Sequence, residues 1–465
     1  MSVGPLSTSP KRESSVFVNY WIPVLSCGAA FFMIVLDTSI VNLALARIGA
    51  EFRSNLSSLQ WLVDGYAIVF ASLLLGAGAI GDRLGVKGIF LVGLFIFTIA
   101  SGACGLSSNI TILQIARIVQ GVGAALLLPN SLATLNNTFD DSVLRSKAVA
   151  SWASAGATGV ALGPVIGGVL VQSLGWRSIF IVNIPFGILA IWLTSRYIKK
   201  SPKQQDRSLD FAGQLLAVAT LGAAGYTLIN LGRGIEIRYV LTSGAVCVIA
   251  ALLFFIVEQR QRNPMLPLRM LSIPTLGPVA LIGSLHDFSI YGMIFVLSLT
   301  FQRLLALSPV SSGLLFLPMT AALAIGTRAG ARLLRKYGSL SVLTWGHLAS
   351  GIGALVLALS PVGKTYASLV VPLLIVGFGA GVTTPAMSVS VLDSVERSQS
   401  GLASGILNSA RRTGGVIGVA ILGALLGEPV TRTGARAAEY VAASALCAAG
   451  LVAVWASSRS RVKAS

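Results

Sequence analysis

Charged residues are scarce in this chain. Only 11% of its 465 residues are Asp, Glu, Lys or Arg, whereas 54% are hydrophobic, and this balance excludes an ordinary soluble domain. Cysteine is also scarce. The four cysteines are far apart in apolar segments without metal-ligand spacing, so they indicate packing rather than a metal site: Cys27, Cys104, Cys247 and Cys447.

A phosphate-binding GxxxxGK[ST] sequence is absent, so ATP-driven work would need a separate subunit. No nucleophile–base or metal-ligand constellation stands out, which argues against an enzyme. The alternating polarity of a membrane β-barrel is missing too, because the apolar runs are continuous. These absences leave an α-helical membrane protein that needs no cofactor.

Apolar runs of about 20 residues recur along nearly the whole chain, each long enough to cross a hydrocarbon core, and the mean hydropathy is +0.82. We predict an all-α polytopic membrane protein with about fourteen spans. Lys and Arg are more than twice as frequent in the loops of one face as in those of the other, which predicts that both termini are cytoplasmic. The same bias explains the net charge of +18 without a nucleic-acid partner.

The chain contains a weak internal repeat. GAIGDRLGVKG after span 2 and GTRAGARLLRKYG after span 10 are both glycine-rich and basic, and spans 5 and 13 are both rich in glycine. This favours two six-helix halves separated by two extra helices. The predicted divisions are a cytoplasmic tail 1–20, a first bundle 21–197, a cytoplasmic linker 198–210, two additional spans 211–258, a cytoplasmic connection 259–274, a second bundle 275–458 and a tail 459–465.

Two segments carry glycine at positions that matter for packing. The turn after span 2 combines glycine with charge at Gly78, Asp82, Arg83 and Gly85, which suits a tight turn between close helices, although an ordinary charged loop has the same composition. Span 5 repeats glycine every fourth residue, which lines one helical face with bare backbone. Its glycine-proline group is Gly159, Gly163, Pro164, Gly167 and Gly168.

Together these segments resemble the major facilitator superfamily, and more narrowly its fourteen-span drug:proton antiporters, the EmrB/QacA-like group. LDTSIVNLALARIG is similar to that group's first span, RIVQGVGAALLLPNSLA to its embedded-arginine span and WRSIFIVNIPFG to the start of its sixth span. The chain departs from the pattern at Ala46, where the family usually has proline, and at Val86, where it usually has a basic residue. The resemblance implies the major facilitator fold and proton-coupled export.

Asp37 lies in a stretch that is otherwise apolar enough to span a bilayer. A charge at that depth costs about 2.5–3.5 kcal/mol on insertion scales, so it needs a partner, water or a function. At about 1.5 Å per residue, Asp37 and Arg117 lie roughly 15 and 12 Å below the same face, and the resemblance places their spans side by side. We predict a switchable acid–base pair for proton coupling; a permanent structural ion pair remains the alternative.

Further candidates are weaker. Asp64 near the start of span 2 is either a second proton site or a residue of a wet vestibule. His286 and Asp287 in span 9 belong to no family signature, and Arg411 matches the span-13 arginine of the resembled family. Tyr66 and Tyr291 fit an apolar cavity as well as ordinary packing. The candidate substrate or proton site therefore consists of His286, Asp287, Arg411, Tyr66 and Tyr291.

The function we predict is export of amphipathic compounds, cationic ones among them, across the plasma (inner) membrane by alternating access. The proton gradient is the energy source, and the expected partners are the lipid bilayer, the transported molecule and protons. We expect a monomer. Proton-coupled metabolite uptake, a lipid or siderophore translocator and a membrane sensor remain open, the last of these disfavoured because no signalling domain is appended.

Overall fold

Long α-helices make up most of the described structure. The computed structural model describes residues 10–199, 210–231, 236–261, 264–360, 366–396 and 399–462, and no strand occurs among them. Fourteen helical segments in these ranges are long and apolar enough to cross a membrane. In chain order, spans 1 to 14 are Pro10–Glu51, Leu56–Leu84, Val86–Gly105, Ile110–Thr138, Ser142–Leu174, Ser178–Ile181 with Asn183–Tyr197, Phe211–Asn230, Ile237–Arg260, Leu276–Leu299, Pro309–Tyr337, Ser339–Leu359, Tyr366–Leu392, Ser400–Leu426 and Arg432–Val462.

Local sequence explains where several spans begin. Asn55 and Asn109 each accept a hydrogen bond, 2.9 Å long, from the backbone N–H three residues later, and Asp141 accepts from Val143 N and Leu144 N. These side chains satisfy donors that a helix start leaves free. Spans 2 and 3 meet at Gly85, whose φ of 105° is a conformation that favours glycine.

The segment boundaries differ in places from the predicted divisions. Span 1 begins at Pro10, so its helix includes part of the predicted tail 1–20. The connection 259–274 contains a short helix, Leu268–Leu271. Most of the predicted linker 198–210 lies outside the described residues.

The two halves repeat the same packing. Span 1 packs against span 5 as span 9 packs against span 13, and span 2 packs against span 4 as span 10 packs against span 12. Span 3 contacts spans 4 and 6, and span 11 contacts spans 12 and 14. Adding eight to a span number in the first half thus gives its counterpart in the second. This relation is the physical form of the weak repeat in the sequence.

The halves meet along spans 2 and 13, spans 5 and 10, and spans 1 and 9. We call the face opposite the two chain ends the distal face; the Lys and Arg distribution predicts that it is external. Several hydrogen bonds near it join the halves, among them the following three links. Leu56 N donates to Glu428 Oε2 over 2.9 Å, Gln60 Nε2 donates to the carbonyl oxygens of Val419 and Ala420, and Ser298 Oγ donates to Asn42 O over 2.6 Å.

Spans 7 and 8 form a pair beside the seam between spans 2 and 13. Span 7 contacts both of these spans, and Ser57 Oγ of span 2 donates to Asn230 Oδ1 over 3.1 Å. Only 17% and 11% of their most apolar stretches are buried within the protein. The remaining apolar surface suits contact with lipid.

Small residues allow the spans to pack closely. A Cβ at Gly163 would lie 1.9 Å from Ser39 Oγ, and one at Gly167 would lie 2.9 Å from Ile40 Cβ, so the glycine face of span 5 packs on span 1. Gly168 points instead to span 10 of the other half, where a Cβ would lie 2.6 Å from Pro309 O. Span 5 therefore contributes to one bundle and to the seam between bundles.

We predict that Gly121→Ala lowers the thermal stability of the purified protein. The added Cβ would lie 2.6 Å from the backbone oxygen of Tyr66, and overpacking of this kind costs about 1–3 kcal/mol. Gly222→Ala in span 7 is the matched control because a Cβ there meets nothing within 4 Å. Melting in detergent, followed by size-exclusion fluorescence, should fall for the first variant and stay level or rise for the second. Equal melting temperatures would contradict this packing.

Candidate functional site

The structure brings Asp37 and Arg117 together inside the first half. Arg117 Nη1 lies 2.5 Å from Asp37 Oδ2, and each side chain is 1% exposed. Their spans were matched in depth by residue counting alone, and the two charged groups do lie in one layer. A buried pair at this distance removes most of the cost that either charge would carry alone in lipid.

Neutral hydrogen-bonding groups complete the surroundings of Asp37. Its Oδ1 accepts hydrogen bonds from Gln120 Nε2 over 3.0 Å and from Asn183 Nδ2 over 3.2 Å. Both amides also donate to Ser101 Oγ, and Arg117 Nη1 donates to Gln120 Oε1 over 2.8 Å. The network joins spans 1, 3, 4 and 6. Sequence reasoning missed Ser101 and Asn183, although Asn183 is the one amide in the apolar segment IFIVNIPFG.

The guanidinium of Arg117 has further partners beyond the carboxylate. Its Cζ lies 4.2 Å from the centre of the Tyr66 ring, a cation–π contact, and its Nε donates to Leu62 O over 3.4 Å. Tyr66 thus belongs to the wall around Arg117 rather than to loose packing.

Asp64 is the opposite case. Its side chain is fully buried, yet neither carboxylate oxygen has a hydrogen-bond partner within the described structure. An ionised carboxylate without partners is costly in such a place. Asp64 also lines the cavity between the two halves, so it can meet whatever enters there.

That central cavity is narrow. Thr38, Asn42, Asp64 and Arg117 line it from the first half, and Tyr291 and Arg412 line it from the second. Its volume of about 30 Å³ is on the scale of a single water molecule. A drug-sized molecule could therefore enter only after the two halves move apart.

The adjacent arginines of span 13 have different surroundings. Arg411 donates to Asp287 Oδ1 through Nε over 3.1 Å and through Nη2 over 2.9 Å, so these two predicted residues form an ion pair. Arg412 donates to the hydroxyl of Tyr291 over 2.7 Å and lines the cavity. Arg412, rather than Arg411, is the span-13 cation of the cavity wall. The candidate site predicted from the sequence contained Arg411, and not Arg412.

His286 turns away from its neighbour Asp287. Its Nδ1 lies 3.2 Å from Nε2 of His347 in span 11, and His347 Nδ1 lies 2.8 Å from Leu343 O. Because a carbonyl only accepts, His347 Nδ1 carries a proton, and in the neutral pair His286 Nδ1 donates to His347 Nε2. Both rings are buried inside the second half. The adjacent pair in the sequence therefore becomes two separate contacts, and His347 is a residue that sequence reasoning missed.

The glycine-rich turn ties span 3 to span 6. Lys87 Nζ donates to the carbonyl oxygens of Ser195 and Ile198, and Gly85 N donates to Gly81 O over 2.9 Å. Gly78 faces span 4, where a Cβ would lie 3.7 Å from Pro129. Arg83 is exposed in the last turn of span 2, and Asp82 beside it is half-buried. A gating role for this turn stays a prediction.

Comparison with known proteins agrees with this architecture. The family model described as Major Facilitator Superfamily matches residues 27–419. The chain belongs to the Major Facilitator Superfamily. It is a multi-pass protein of the plasma membrane, and its fourteen spans fit the fourteen-span group that the sequence resembles.

Similar members of the superfamily are named for drug resistance. The chain is 34% identical over 406 residues to the "Methylenomycin A resistance protein" of Streptomyces coelicolor, covering 87% of this chain and 85% of that protein. It is 32% identical over 413 residues to the "Drug efflux pump JefA" of Mycobacterium tuberculosis, covering 87% and 80%. A crystal structure of the peptide transporter POT with sulfate matches at 16% identity and a TM-score of 0.71, covering 95% and 94%, which shows the shared fold alone.

We predict that Arg117→Met lowers stability strongly, because it leaves the buried Asp37 carboxylate without its cation. Breaking one side of a buried pair costs ~3–5 kcal/mol. The double variant Asp37→Asn with Arg117→Met removes both charges and should recover much of the loss. Thermal melting of both variants and of Asp37→Asn alone completes a double-mutant cycle. A double variant that melts no higher than Arg117→Met would contradict the pairing.

Proposed function

We propose that this protein is a proton-driven exporter of amphipathic compounds that works by alternating access. The observation that carries the proposal is Asp64, a fully buried carboxylate that has no hydrogen-bond partner among the described residues and lies on the wall of a cavity between two similar halves. A group that is costly when ionised, and that faces the transport route, is suited to bind and release a proton during a cycle.

The contacts of Asp37 and Asp64 give these two carboxylates different roles in proton binding. Asp37 accepts three hydrogen bonds, one of them from a guanidinium, so its charged form is well stabilised. Asp64 has no such support. Asp64 is therefore the group that takes the proton in this conformation, and Asp37 with Arg117 joins the chemistry only when opening of the cavity rearranges their contacts. This assigns the first proton to a different residue from the pair that the sequence pointed to.

The seam between the halves explains how access alternates. Gln60 to Val419 and Ala420, and Ser298 to Asn42, close the distal side. Opening toward that side requires these hydrogen bonds to break. The helix packing within each half can persist, because the bonds that break lie between the halves. The network of Asp37 lies within one half, and Asp64 lies at the seam, where opening changes its surroundings.

The names of the relatives support the export direction. The proteins from Streptomyces coelicolor and Mycobacterium tuberculosis are named for antibiotic resistance and drug efflux, and each aligns with 87% of this chain. These names favour export over the uptake that the sequence left open. We propose a drug-like substrate on the same basis. We also propose that the working unit is a monomer.

We predict that Asp64→Asn abolishes export driven by a pH gradient but leaves exchange between labelled and unlabelled substrate intact, because exchange needs the cavity but no proton. The measurement is transport in proteoliposomes with an imposed gradient, using a panel of cationic, neutral and anionic dyes. Asp140→Asn is the matched control, since Asp140 is an exposed carboxylate outside the cavity.

Wild-type protein should accelerate export when the gradient is imposed. A dye that crosses at the same rate with and without the gradient would contradict the antiport mechanism. Undiminished gradient-driven export by Asp64→Asn would contradict the role of Asp64 while leaving transport itself established.

A further inference from the structure

Arg412 is a half-buried cation that forms no ion pair of its own among the described residues. Four other ionisable groups near the cavity form two ion pairs: Arg117 pairs with Asp37, and Arg411, the neighbour of Arg412, pairs with Asp287. Among the described residues, Arg412 forms no ion pair. Its recorded partners are the neutral hydroxyl of Tyr291, 2.7 Å from Nη1, and two aromatic rings.

One of those rings belongs to the other half of the protein. Arg412 Cζ lies 5.0 Å from the centre of the Phe70 ring, and Phe70 is in span 2. When the halves separate to admit a substrate, this contact is lost, whereas the Tyr291 hydroxyl in span 9 stays in the same half. Opening thus exposes a guanidinium that has fewer partners than before. Five N–H donors in a planar fork match the paired oxygens of an anionic group such as a carboxylate or a phosphate.

The cavity wall that faces Arg412 carries an acidic residue. Asp64 and Arg412 line the same cavity from different halves, and they are not paired with each other within the described structure. Neither wall therefore neutralises the other. A molecule that carries an anionic group at one end and a cationic group at the other would satisfy both.

We infer that the cavity binds dipolar amphipathic molecules, with a carboxylate docked on Arg412 and a cationic or hydrogen-bond-donating group near Asp64. The inference rests on the proposed export function and names its substrate class. It narrows the expected class of amphipathic compounds, because a substrate with only positive charge would meet Arg412 as a like charge. Arg412 becomes the residue that determines specificity.

The direction of coupling agrees with this arrangement. A proton on Asp64 removes the charge that holds the cationic end, so proton and substrate compete, as antiport requires. For a substrate with only an anionic group, a proton on Asp64 would strengthen binding instead, and the linkage would favour co-transport. A dipolar substrate reconciles a positively charged wall with proton antiport.

The experiment compares two dyes that differ in one group. Rhodamine B carries a carboxylate and a delocalised cation, and its ethyl ester carries the cation alone on the same ring system. Initial rates of gradient-driven export in proteoliposomes, at low dye concentration, give the selectivity of the wild type, Arg412→Lys, Arg412→Gln and Arg332→Gln. Arg332 is an exposed arginine of span 10 and serves as the control.

We expect the wild type and Arg332→Gln to export rhodamine B faster than its ester by roughly tenfold or more, since a charge-assisted contact is among the strongest hydrogen bonds. Arg412→Gln should lose the preference while still exporting the ester, and Arg412→Lys should keep part of it. An ester exported as fast as the acid by the wild type, or an unchanged preference in Arg412→Gln, would overturn the inference.

The outcomes separate the two proposals. If neither dye moves faster with the gradient in the wild type, the export function fails first. If Arg412→Gln folds poorly, judged by size exclusion, the comparison between wild type and Arg412→Lys still tests the acid preference. A preference for the acid that survives in full in Arg412→Lys, together with an equal preference in Arg412→Gln, would place the anionic group elsewhere.

Discussion

The buried ion pair of Asp37 and Arg117 is the constraint around which the first half is arranged. In lipid, no water is present to donate hydrogen bonds to a carboxylate, so the chain must supply its partners. It does so from three other spans: Arg117 and Gln120 come from span 4, Asn183 comes from span 6, and Ser101 of span 3 accepts hydrogen bonds from both amides. Moving any one of these helices would leave a buried polar group unsatisfied, so the network holds the half together as one body.

A rigid half is what alternating access needs, because the conformational change can then be confined to the seam. Asp64 has no hydrogen-bond partner and Arg412 forms no ion pair among the described residues, and both lie at that seam. In the second half, Asp287 and Arg411 form the ion pair, whereas Arg412 donates to the Tyr291 hydroxyl and lies beside two aromatic rings.

The fold was largely predictable because membrane spans have a strong signal: apolar runs of fixed length and an asymmetry of Lys and Arg. The pairing of Asp37 with Arg117 was also within reach, because depth follows from counting residues along two helices. The different roles of Arg411 and Arg412 were not. Neighbours on a helix point about 100° apart, and sequence does not say which of them meets Asp287 across the bundle.

The same limit hid other contacts. His347 lies 61 residues from His286, and only the packing of span 11 beside span 9 in the bundle joins them. Whether Asp64 has hydrogen-bond partners depends on all the helices that surround it, so no local sequence pattern shows it. Ser101 and Asn183 are ordinary polar residues in the sequence, and their role follows only from the hydrogen bonds that they form around Asp37.

In the proposed cycle, substrate and proton compete for the cavity at Asp64. Calorimetric titration of detergent-purified protein, with whichever of the two rhodamine dyes it exports, measures this directly when repeated in buffers of different ionisation enthalpy. Dye binding should release close to one proton at a pH low enough for Asp64 to be protonated in the free protein, and less as the pH rises, whereas Asp64→Asn should bind the dye without releasing a proton. Dye binding that takes up a proton, or that exchanges none at any pH in the wild type, would contradict this competition.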